Sequence, residues 1–103
     1  MQLRADVDTF EKYQQAMVRE IIEQIRFKLA AAGYRGDELR DITGEIAFSV
    51  ASTLDDNAGI DVDGMPVKPY ITFKEDDIHL VHCGENSYMH EYVAGLVFDI
   101  FGK

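Results

Sequence analysis

Apolar positions recur every three or four residues through the first third of the chain, and then the rhythm changes. Phe10, Met17, Val18, Ile21, Ile22, Ile25 and Leu29 share one side of a helix that this spacing predicts over 9–32. Asp8 with Glu11 offers a capping-box-like start, and Gly33 supplies the stop. Lys12, Arg19 and Arg26 lie opposite, within reach of Glu23, and read as a solvated face held by pairs three or four residues apart. A second helix, capped by Asp37 and running to 54, puts Leu39, Ile42, Ile46, Ala47, Val50 and Leu54 on its apolar side. The short "GYRG" connection makes the two an antiparallel helical hairpin.

Helical spacing stops after 54. Residues 57–69 hold scattered glycine and proline and read as a loop or a frayed edge strand. "YITF" and "IHLVHC" then flank the polar turn "KEDD", the pattern of a β-hairpin. Such a hairpin needs a helix against one face. The last helix is expected over 87–101, capped by Asn86 or Ser87 and ended by Gly102. Met89, Tyr92, Val93, Leu96, Val97, Phe98, Ile100 and Phe101 leave it only the polar strip of Glu91 and Asp99, so a largely buried, central position is expected. The fold class is α+β in the order α-α-β-β-α: a helical hairpin, a central β-hairpin of two strands (three if 57–69 adds an edge), and a buried C-terminal helix.

Composition narrows the class without changing this picture. The 103 residues suit one compact domain, 1–103. An apolar content of 47% with two prolines excludes a disordered chain. One cysteine excludes an internal disulfide framework and fits a reducing compartment. The start "MQLRADVDTF" lacks the apolar core of a signal peptide, so a soluble cytoplasmic protein is expected.

Charge is unevenly placed. Residues 1–40 balance seven basic against seven acidic groups, whereas 41–103 carry three against twelve, which is the whole net charge of −9. Seven of those acids are Asp55, Asp56, Asp61, Asp63, Glu75, Asp76 and Asp77, in two short stretches, 54–64 and 74–77. Phosphate backbones would be repelled, so no nucleic acid is expected as partner, while a basic protein surface would be attracted.

The histidines and the cysteine crowd into "IHLVHCGENSYMHEY", 78–92. Strand alternation puts His79, Val81 and Cys83 on one face and Ile78, Leu80 and His82 on the other. His79 and Cys83 would then be roughly 13 Å apart, too far to share a zinc ion. A calcium loop starting at Gly59 lacks a first ligand and a closing carboxylate, and "CGENS" has too little glycine for a phosphate cradle. No metal and no cofactor are expected. Cys83 and His90, brought together by strand end and helix start, are the candidate nucleophile pair of a thiol or metal-dependent enzyme, though no third group orients the histidine. His90 itself, inside an apolar arc at a helix start, is the candidate pH-sensitive group, with burial and the helix dipole both lowering its pKa. Phe27 and Phe48 point away from the main apolar faces beside small residues, and mark a candidate homodimer interface.

These features favour a non-enzymatic protein-binding module of inhibitor, immunity or adaptor type, using its acidic loops against a basic partner. The enzyme built on Cys83 and His90 and a self-assembling structural unit are the competing expectations.

Overall fold

A computed structural model describes residues 1–102. The order is β1 (Gln2–Ala5), α1 (Val7–Ala31), α2 (Gly36–Leu54), β2 (Asp61–Val62), β3 (Met65–Pro66), β4 (Phe73–Lys74), β5 (His79–His82), a 3₁₀ turn (Met89–Tyr92) and α3 (Val93–Phe101). This is the expected α+β arrangement of two helices, strands and a helix, with one strand added at the front.

β1 enters as a strand because β5 pairs with it. β5 is the centre of a three-stranded sheet, parallel to β1 with Leu3 opposite Leu80, and antiparallel to β4 with Phe73 opposite Val81. The expected hairpin around "KEDD" is therefore present, though β4 keeps only Phe73 of "YITF" and takes Lys74 from the expected turn. Asp76 closes its turn by accepting from the Ile78 and His79 main-chain N–H groups at 2.9 Å each.

The start of α1 corrects the cap read from Asp8. Asp6 is the N-cap: it accepts from the Thr9 main-chain N–H at 3.1 Å and from the Thr9 hydroxyl at 2.9 Å. β1 runs to Ala5, so the chain turns into the helix two residues earlier than local signals suggest. The cap of α2 moves likewise. Asp37 lies inside the first turn, 3.4 Å from Arg40, and the cap position is Arg35, whose guanidinium donates instead to the Ala30 carbonyl at the end of α1.

The core forms where α1 and α2 lie side by side. Val18 and Ile22 meet Ala47 and Ala51, and Met89 and Val93 close the cluster. Ala47 and Ala51 are the small residues α2 buries in this cluster, and α3 packs against both helices. The sheet packs nearer the start of α1, where the Phe73 ring meets Phe10 at a tilt and Tyr13 edge-on, with centroids 5.1 and 5.7 Å apart.

The expected central burial of the last helix is corrected here. Within α3 only Val93 is fully buried, and Phe98 remains 60% exposed. α3 covers one side of the helical pair, and the sheet lies elsewhere, so its outer side meets no other element. The helix is also shorter than expected, because 87–92 is taken up by Ser87, Tyr88 and the 3₁₀ turn.

Candidate functional site

The segment joining β5 to α3 is held at both ends by polar side chains from the helical pair. Gln14, fully buried in α1, accepts from the Tyr88 main-chain N–H at 2.6 Å. The Tyr88 hydroxyl donates to Glu11 at 3.1 Å, and burial followed by this acidic neighbour pushes the phenol well above its ordinary pKa. On the other side stands Asp55, the residue that ends α2. Its carboxylate accepts from the Ser87 hydroxyl at 2.5 Å, from the His90 main-chain N–H at 2.8 Å, and contacts the His90 Nδ1 at 2.6 Å. The Met89 main-chain N–H donates to it as well.

Asp55 is 2% exposed, which corrects its place among the partner-binding acids. Burial works to raise its pKa, but the hydrogen bonds from Ser87, His90 and Met89 outweigh it and hold the carboxyl below its ordinary value. Asp55 thus serves two elements: its main chain ends α2, and its carboxylate accepts from the start of the 3₁₀ turn leading into α3. His90, read from its helical position alone, has an unforeseen carboxylate neighbour. Its ring also meets Phe48 edge-on with centroids 5.9 Å apart, and the Asn57 amide lies 3.3 Å from its Nδ1. Asn57 and Gln14 carry no sequence signal that would have singled them out, because their partners are 33 and 74 residues away, and Ser87, expected as a helix cap, donates instead to Asp55.

Cys83 and His90 have separate hydrogen-bond partners. The Cys83 thiol donates to the Glu85 carbonyl at 3.2 Å, while the imidazole is engaged by Asp55. Ser87 donates to the carboxylate and not to the imidazole. The Asp55 carboxylate also accepts from the first main-chain N–H groups of the 3₁₀ turn.

The remaining acids fall into two groups. Asp61 and Asp63 sit on a small hairpin formed by β2 and β3, in which Asp63 and Gly64 both take positive φ, 53° and 81°, the backbone of a type I′ turn. Asp61 accepts from the Gly64 N–H at 2.9 Å. Residues 61–68 are exposed throughout, Val62 at 53% and Met65 at 59% included. The "frayed edge strand" is thus a separate projecting arm, and the Asp63-Gly64 pair is the local signal for it. Asp56 lies at its base. Glu75, Asp76 and Asp77 form the β4–β5 turn, where Arg4 bonds to Glu75, and the His79 Nδ1 lies 2.9 Å from Asp76. Glu75, Asp76 and His79 gather their ligating atoms within 4.8 Å, yet Arg4 already supplies the cation to Glu75. His82 faces away from this cluster, 3.3 Å from the Tyr70 hydroxyl, as strand alternation requires.

Phe27 and Phe48 are both exposed, at 56% and 50%, on different surfaces. Arg26 stacks over Phe27 and Phe101 at the end of α1, 5.5 Å from each ring. Phe48 instead walls an open groove between α2 and α3, about 410 Å³ in volume, with Gly44, Val93, Ala94 and Val97 as floor and Arg40, Asp41 and Glu45 as rim.

No protein-family model, no curated protein and no solved structure matches this chain. Among the described residues, no helix is long and apolar enough to cross a membrane.

Proposed function

We propose that this protein is a non-enzymatic module that binds another protein through its acidic loops, and that the partner presents a basic surface. One observation carries the reading: the β2–β3 arm stands clear of the body with Asp61 and Asp63 beside exposed Val62 and Met65. Apolar side chains on such an arm supply contact area, and the carboxylates supply steering and register. Asp56, Glu75, Asp76 and Asp77 extend the acidic surface, and the whole net charge of −9 arises beyond residue 40. Inhibitor, immunity and adaptor roles share this chemistry. A free thiol at Cys83 fits a reducing, cytoplasmic setting.

The test compares wild type with an Asp61→Lys/Asp63→Lys double variant in capture from native lysate, then in stopped-flow association with the captured partner. Wild type should retain a basic protein that the variant loses, with association slowed most at low salt. Equal association of both proteins at low salt removes the reading. Self-assembly makes the opposite forecast: light scattering would show a multimer whose mass falls in Phe27→Ser and Phe48→Ser.

A further inference from the structure

We infer that the groove between α2 and α3 seats a basic amphipathic helix of the partner, an inference that rests on the basic-partner reading above. α3 is apolar on nearly all sides, yet only one side is packed: Ala94 opens into the groove beside Val93 and Val97, and Gly95 and Phe98 are exposed on the α1 side. An exposed apolar helix face of this kind marks an interaction surface. The accessible surface of 6389 Å² also exceeds the roughly 5,900 Å² of a compact monomer of this mass.

Helix packing needs a smooth floor, and Gly44 provides it. A Cβ there would meet only Val97 Cγ2, at 3.8 Å, so the missing side chain opens the groove without being forced by crowding. α3 is about 13 Å long, some two and a half turns, enough for anchors at i, i+4 and i+7 of a docked helix.

Charge selects the occupant. Arg40, Asp41 and Glu45 edge the groove on α2 and leave its rim net negative, while Glu91 and Asp99 line a separate hollow beside Gln15 on the α1 side of α3. Of the cations nearby, Arg40 is held by Asp37 and Asp41 at 3.4 and 2.9 Å, and Arg26 by Glu23 at 3.7 Å. A second copy would bring acids against acids, whereas lysine or arginine flanking an apolar stripe would meet unlike charge. The groove also adjoins the acidic arm: Phe48 touches His90, and His90 meets Asn57 at the arm's base.

The test is an NMR titration with a synthetic leucine–lysine peptide of about 18 residues, long enough to become helical on binding. Its leucines are spaced for one face. A scrambled peptide of equal composition and an all-glutamate analogue serve as controls. The patterned peptide should shift Gly44, Phe48, Ala94 and Val97, and should bind roughly tenfold more weakly to Gly44→Leu and to Glu45→Lys. Because Gly44→Leu could perturb folding, Glu45→Lys, at an exposed position, carries the test alone if the leucine variant melts early. Equal binding of the scrambled peptide overturns the inference. Shifts confined to 55–77 overturn it but leave the basic-partner reading standing, and failure of every basic peptide removes both. A mass that rises with concentration in wild type and not in Phe48→Ser assigns the groove to a second copy and overturns the inference as well.

Discussion

Asp55 and His90 are joined twice, through the main-chain N–H of His90 at 2.8 Å and through its Nδ1 at 2.6 Å, both on the same carboxylate oxygen. That oxygen ties the end of α2 to the start of the C-terminal helical segment, 35 residues further along the chain. The other oxygen holds Ser87. Truncating Asp55→Ala leaves buried donors without a partner and should destabilise the protein by about 2–3 kcal/mol. Urea unfolding gives the value. A loss within roughly 0.5 kcal/mol would mean that solvent replaces the carboxylate without cost.

The same carboxylate should shape acid stability. Asp55 is held below its ordinary pKa of 3.8 in the folded protein. A group depressed by folding contributes stability above its unfolded pKa and loses it as pH falls through the folded one. Midpoints of denaturant unfolding should therefore hold near neutrality and decline below about pH 4. Asp55→Asn should flatten that decline. Asp6, held low by Thr9, and Asp76, held low by His79, keep part of it in the variant.

Thr43 is fully buried, and its hydroxyl has no hydrogen-bond partner. Thr43→Val keeps the shape and removes an unsatisfied polar atom, so stability should rise by about 1 kcal/mol. Calorimetry would register a higher melting temperature. A lower one would show that the hydroxyl is satisfied in solution.

Gly64 sits at φ 81° in the tip of the arm. Gly64→Ala should strain the turn by about 1 kcal/mol while leaving the global unfolding midpoint unchanged, because the arm is not packed on the core. Hydrogen exchange at the Val67 amide, which donates to the Ile60 carbonyl at 3.0 Å, should quicken. A shifted global midpoint would place the arm inside the cooperative unit.

The apolar face of α1 is legible in the sequence, since Val18 and Ile22 fall where helical spacing puts them and are buried. On α2 Ala47 is buried as expected, but Ile46 and Val50 of the same expected face stay exposed, because the row that meets α1 and α3 is Thr43, Ala47 and Ala51. β1 is not legible: Gln2–Ala5 is exposed along its length and carries no alternating pattern. Pairing with β5, across more than seventy residues of chain, is what makes it a strand. The choice between Asp6 and Asp8 as helix cap follows from that pairing. Asp55 misleads for a related reason. In "LDDNAGIDVDG" it looks like one more solvated acid, and only the arrival of Ser87, Met89 and His90 turns it into a buried cap.

What the sequence determines by itself is local: helix faces through a fixed rise and turn, strand faces through alternation, and a charge imbalance that no fold can remove. The tertiary structure decides which polar groups are satisfied and which apolar faces stay open, because both depend on partners distant in the chain. α3 shows the division most clearly. Its sequence requires that most of its surface be covered, and the fold covers only one side.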